Sequence, residues 1–175
     1  MKHLIVVVVV VACLVSSCTA DAAAPASAPV LAAPPPGTAA SVLDTYEQMR
    51  VLLASDSVAG IVVLAQRLGA DAARVSLEPD RPGAREVVTA TAALTAANTT
   101  VDLVKARLAF GEISRGVVAL IAADPTLQGG RFLFSCPMAP GYQRWVQTAP
   151  RMANPYMGLR MLLCGELVAK WAVDG

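Results

Sequence analysis

The strongest constraint on this chain lies at its start. Leu4 to Val15 is almost purely apolar and includes six consecutive valines, Val6 to Val11. That run is about half the length a membrane-spanning helix needs. Placed behind Met1, Lys2 and His3, it has the proportions of a signal-peptide h-region. It ends at Val15-Ser16-Ser17-Cys18, an aliphatic residue, two small ones and a cysteine, which is the pattern of a bacterial lipobox. The small side chains suit a signal peptidase, and the Cys18 thiol would receive diacylglycerol. Several acyl chains then hold a protein to a bilayer, at roughly 0.8 kcal/mol per buried methylene. Val10-Val11-Ala12-Cys13 fits the same pattern, but cleavage there leaves a very short h-region and an apolar mature terminus. Cys18 is therefore the expected lipidation site, with residues 1–17 as the signal. Thr19 follows it, so the aspartate that holds many lipoproteins in the inner membrane is absent. The expectation is a periplasm-facing lipoprotein of the cell envelope, on the outer membrane.

The next stretch, 18–40, carries the lipid and then runs through Ala, Pro, Ser and Thr, including Pro34-Pro35-Pro36-Gly37. This composition buries too little apolar surface to fold and reads as a semi-rigid tether. What remains, 41–175, is the right size for one domain with its own core. Without residues 1–17 the chain keeps 13 of its 14 basic side chains against 13 acidic ones. With no basic cluster, nucleic acid is not an expected partner. His3 is the only histidine and leaves with the signal. Ser-His-Asp and Cys-His catalysis and the usual His-bearing zinc sites leave with it. Glu112 and Glu166 are read as solvated charges, so no enzymatic activity is expected.

Helical spacing dominates the first part of the domain. Val42, Tyr46, Met49 and Leu53 form one apolar stripe, with Ser41 as the expected N-cap and Asp44 in the first turn. Ile61, Leu64, Ala65 and Leu68 form a second, ending near Gly69. Arg81-Pro82-Gly83 interrupts the chain before Val87, Val88, Thr91, Leu94 and Thr95. Val101, Val104, Leu108, Ile113, Val117 and Leu120 give a long fourth stripe, which Asp124-Pro125 should stop. Short connections make an all-α, up-and-down four-helix bundle the simplest arrangement.

After Pro125 the character changes. Arg131-Phe132-Leu133-Phe134 reads as a short extended segment. Cys136-Pro137-Met138-Ala139, Trp145, Asn154-Pro155-Tyr156-Met157-Gly158 and Met161-Leu162-Leu163-Cys164-Gly165 follow. Asn154 is a good N-cap and Pro155 suits the first helical position. A short helix from Pro155 would align Met157, Met161 and Cys164 on one face. The expected fold is thus the bundle plus a C-terminal extension of one extended segment and one short helix.

These motifs resemble an uncharacterised periplasmic domain family that occurs alone on lipoproteins and at the C-terminus of CusB-like heavy-metal efflux adaptors. The resemblance spans about Val42 to Gly165, and Arg107, Phe110, Ile113 and Ser114 are similar to the family's fourth-helix pattern. It implies a helical periplasmic domain connected with copper or a related metal, with efflux components as partners. Many members carry histidines where this chain has Lys105 and Ala109.

The sulfur atoms admit two readings. Cys136 and Cys164 are an even pair in an exported, oxidising compartment, which suits a disulfide. Closing about 29 residues would contribute roughly 3–4 kcal/mol. Alternatively Cys136, Met138, Met157, Met161 and Cys164 form a soft-ligand set for copper(I), which requires free thiols.

Overall fold

The computed structural model describes residues 32–96 and 100–171, all but Ala32 within one unit, Ala33–Gly175. Signal, lipobox and Cys18 lie outside the described residues. Four helices come first: α1 (Ala39–Ala54), α2 (Ile61–Val75), α3 (Ala84–Thr95) and α4 (Leu103–Ala123). Helix α1 packs on α2, α2 on α3, α3 on α4, and α4 returns against α1. Among the described residues, no helix is long and apolar enough to cross a membrane.

Helix α1 starts earlier than its apolar stripe suggests. Thr38, not Ser41, is the N-cap; its hydroxyl accepts the Ser41 N–H, and Ser41 Oγ accepts the Thr38 N–H in return, both at 3.1 Å. This reciprocal pair satisfies two of the donors that a helix start leaves open. Just before it, the Gly37 N–H donates to Oδ1 of the buried Asp71 at 2.7 Å, fastening the entry of the chain to α2. Helix α2 does not end at Gly69. It runs through to Val75, and Thr91 Oγ1 of α3 lies 2.7 Å from where a Gly69 Cβ would be. The glycine permits close helix approach and is not a terminus.

In α4 the inward face is set by Ala106, Phe110, Ile113, Val117, Leu120 and Ile121, all fully buried. Val104 and Leu108, expected inside, are 68% and 46% exposed. Over the first two turns the buried face is therefore out of phase with the expected stripe. Asp124 ends the helix as expected and caps the 3-10 turn Pro125–Gln128 through the Thr126 N–H.

The chain is mostly helical but not all-α. Strands β1 (Phe132–Ser135), β2 (Arg144–Gln147) and β3 (Glu166–Leu167) form an antiparallel sheet in the order β2-β1-β3. Leu133 pairs with Val146 and Phe134 with Trp145 on one side; Phe134 pairs with Leu167 on the other. The extended segment expected around Phe132–Phe134 is therefore the central strand. β2 is an edge strand, and α1 covers its outer edge. The Val146 N–H, turned away from β1, donates to the Tyr46 hydroxyl at 3.2 Å. Exposed strand edges pair promiscuously; here a helix side chain occupies one.

The expected helix from Pro155 is absent. Residues 155–157 form a turn, followed by a single 3-10 turn, Gly158–Met161. Asn154 does act as a cap, its Oδ1 accepting the Tyr156 and Met157 N–H groups at 2.8 and 3.1 Å. Gly158 then takes φ +58°, in the left-handed region, so an α-helix cannot propagate. The alignment of Met157, Met161 and Cys164 on one α-helical face fails with it.

Candidate functional site

Five aromatic side chains join the helices to the C-terminal tail. Tyr46 of α1 stacks on Phe110 of α4 at 4.9 Å, and Phe110 meets Tyr156 at 5.9 Å. Tyr156 meets Trp145 edge-on at 5.9 Å, and Trp145 stacks on Phe134 at 5.5 Å. Such offset and edge contacts add to the stabilisation from burial alone. The polar ends are also engaged: the Tyr156 hydroxyl donates to the Arg144 carbonyl at 2.6 Å, and the Trp145 indole N–H to Gln147 Oε1 at 3.0 Å.

The Asn-Pro-Tyr-Met-Gly segment is clasped against this ladder. Besides its two backbone acceptances, Asn154 donates from Nδ2 to the Cys164 carbonyl at 2.7 Å. Arg107 of α4 donates to the Pro155 carbonyl at 2.9 Å and to the Leu53 carbonyl at 3.0 Å, and it pairs with Asp56. Asp56 Oδ2 accepts the Leu159 N–H at 3.2 Å. A Cβ on Gly158 would overlap Asp56 and Arg107. The end of α1, the start of α4 and the tail thus meet at one ion pair.

This clasp brings the two cysteines together. Cys136 leaves β1 with its N–H on the Gln143 carbonyl and is fully buried. Cys164 follows the 3-10 turn, donates its N–H to the Met161 carbonyl, and remains partly exposed. Gly165, at φ +140°, lets the chain pass where a Cβ would lie 2.6 Å from the Ser135 carbonyl oxygen and 3.0 Å from the Trp145 ring. The sulfur atoms, as free thiols, are 2.9 Å apart. The thiol contact with Cys136, followed by desolvation, pushes the Cys164 thiol upward from its ordinary pKa. Either sulfur must lose its proton before it can bind a metal or attack a disulfide.

The methionines differ in exposure. Met138 is 59% exposed, Met157 belongs to the buried core, and Met161 packs partly against it. Met152, which helical spacing gave no reason to single out, has its sulfur 3.3 Å from the position of a Gly165 Cβ. Its neighbourhood depends on the path of an irregular segment, which no periodicity encodes.

The spacing of the pair discriminates between chemistries. Two thiolates sharing a tetrahedral ion at about 2.3 Å each would stand about 3.8 Å apart, and a two-coordinate ion would hold them wider still. At 2.9 Å the pair is closer than either and near bonding reach of a disulfide. Among the described residues, no group of three or more His, Cys, Asp or Glu could hold a metal ion. Compared with known proteins, the chain matches no family model, no curated protein and no solved structure.

Proposed function

We propose that the chain is a non-enzymatic lipoprotein domain of the cell envelope, a structural or interaction module whose C-terminal tail is locked onto its helices by a Cys136–Cys164 disulfide. The observation that carries this reading is the 2.9 Å approach of the two sulfurs, 28 positions apart in the chain. The h-region and the Val15-Ser16-Ser17-Cys18 lipobox support export and a lipid anchor at Cys18. Thr19 supports the outer membrane as its place. The four helices are read as an up-and-down bundle, with the sheet and clasp as an added C-terminal layer. Two oxidised cysteines in that layer suit an oxidising compartment.

The competing reading, drawn from the motif's resemblance to efflux-associated domains, is copper(I) held by Cys136, Cys164 and the methionines. It needs both thiols free and farther apart than the structure holds them. One experiment separates the two. The full chain is exported from a bacterial host, alkylated in denaturant with and without prior reduction, and weighed. The bridge requires that Cys136 and Cys164 accept the alkylating agent only after reduction. Alkylation of both without reduction would overturn it. Copper(I) titration of the reduced protein beside a Cys136→Ser/Cys164→Ser variant tests the other reading. Equal weak binding is expected of both proteins.

A further inference from the structure

The two sulfurs differ in access. Cys136 is 0% exposed, at the end of the central strand of the sheet. Cys164 is partly exposed in an irregular stretch between the 3-10 turn and β3. Its chain neighbour Leu163 is 59% exposed. An incoming reagent can therefore reach Cys164 from solvent, whereas Cys136 lies behind it at 2.9 Å. Thiol–disulfide exchange proceeds by attack of one thiolate on a disulfide through a mixed disulfide.

We propose that Cys164 is the entry sulfur through which the folded domain is oxidised by an external disulfide, and that Cys136 is the resolving sulfur. This rests on the bridge reading given above. In the first step the Cys164 thiol loses its proton to solvent. Its sulfur attacks the oxidant's disulfide, forming one S–S bond and releasing one oxidant thiolate. In the second, the Cys136 thiol gives its proton to the oxidant thiolate released in the first step, directly or through water, and its sulfur attacks Cys164 Sγ. The intramolecular bond forms, the mixed bond breaks and the second oxidant thiolate leaves. Two electrons pass from the cysteine pair to the oxidant, which ends as a dithiol, or as two thiols if it is a small symmetric disulfide. Reduction runs through the same sulfur in reverse.

The test uses the exported, processed protein in detergent. Reduced wild-type protein is pulsed with iodoacetamide under native conditions, and its peptides are mapped. Cys164 should be labelled at least tenfold faster than Cys136, and the difference should vanish in guanidinium. In the second arm, native Cys136→Ser should react with 5,5′-dithiobis(2-nitrobenzoate) at least tenfold faster than native Cys164→Ser. Circular dichroism checks that both variants are folded. In the third arm, the intact mass of Cys136→Ser taken from cells should show an adduct that reduction removes, low-mass for a small thiol or large for a protein oxidant. Equal native labelling, faster labelling of Cys136, or Cys136→Ser carrying no reducible adduct would overturn the order of attack while leaving the bridge intact. Exported wild-type protein with both thiols free would instead overturn the bridge, and the proposal with it.

Discussion

Replacing Tyr46 by phenylalanine removes one oxygen from the junction between helices and sheet. The ring and its stack on Phe110 remain. What is lost is the acceptor for the Val146 N–H at 3.2 Å and a hydrogen bond with Ser114 Oγ at 2.8 Å. These two losses are unequal. Ser114 sits inside α4, and its hydroxyl can turn to the carbonyl one helical turn back. The Val146 N–H is buried on the outer edge of β2, facing away from β1, and a phenyl edge cannot accept from it. A stranded buried donor costs about 1–3 kcal/mol, against about 1 kcal/mol for an ordinary hydrogen bond. Tyr46→Phe should therefore destabilise by about 2–3 kcal/mol. Ser114→Ala, which leaves the Val146 bond intact, should cost under about 1 kcal/mol. At about 4 °C per kcal/mol for a domain of this size, thermal unfolding should fall by roughly 8–12 °C for the first variant and under about 4 °C for the second. Amide exchange gives a local readout: the Val146 N–H should exchange much faster in Tyr46→Phe and almost unchanged in Ser114→Ala. A Tyr46→Phe protein that melts within 2 °C or so of wild type, or no lower than Ser114→Ala, would refute the claim that this hydroxyl holds the sheet edge.

Further outcomes follow from other parts of the molecule. Removing the bridge with Cys136→Ala/Cys164→Ala should cost roughly 3–4 kcal/mol relative to the oxidised protein. Reductant should lower the melting temperature of wild type but not of the variant, and a reductant-insensitive wild type would argue against the bridge. Gly158→Ala places a side chain at φ +58° against Asp56 and Arg107. A loss of more than about 2 kcal/mol is expected by urea unfolding, and a neutral result would mean that the clasp is not fixed as described. Burial holds the phenols of Tyr46 and Tyr156 well above the ordinary tyrosine pKa. In the unfolded chain they ionise at about pH 10, so ionisation favours unfolding. The stability they contribute is complete below that pH and is lost as pH rises beyond it. Phenolate absorbance from these two residues should appear together with loss of ellipticity; phenolate formation in a still-folded protein would contradict this. Finally, Cys18→Ser should abolish incorporation of radiolabelled palmitate by the exported chain, whereas Cys13→Ser should not.

What could be read from the sequence depended on how local the determinant is. Four helices were legible because Tyr46, Met49 and Leu53, or Ile113, Val117 and Leu120, repeat at helical spacing whatever they pack against. Phase was harder in α4. Val104 and Leu108 form an apolar stripe as credible as Ala106, Phe110 and Ile113, and only the neighbouring elements choose the buried one. Gly69 looked like a stop because the partner that explains it, Thr91, comes from another helix. β2 and β3 are four and two residues long, too short for an alternation pattern to register. Their pairing with β1 is a long-range fact. The proximity of Cys136 and Cys164 was expected from their even number and the predicted compartment. The expected helix between them is interrupted at Gly158, whose left-handed backbone passes against Asp56 and Arg107.

That failure bears on how the motif should be interpreted. Every residue of Asn154-Pro155-Tyr156-Met157-Gly158 serves the fold. Asn154 bonds three backbone groups, and the Pro155 carbonyl receives Arg107. Tyr156 stands in the aromatic ladder, Met157 fills the core, and Gly158 passes the ion pair. Replacing Asn154 would strand two buried N–H groups and a carbonyl together, a far larger cost than losing one surface contact. Each residue of this pattern thus has a structural role, so the pattern by itself need not mark a ligand site. The same holds for Trp145 and Cys136, both fully buried. Around the clasp, Cys164 stays partly exposed and the side chains of Leu159, Leu163 and Leu167 are exposed. Substitution of those three leucines by serine should leave the melting temperature within about 2 °C of wild type, since exposed positions contribute little to stability. The same change should abolish any recognition that uses this tail, and a large loss of stability would mean that these side chains belong to the fold.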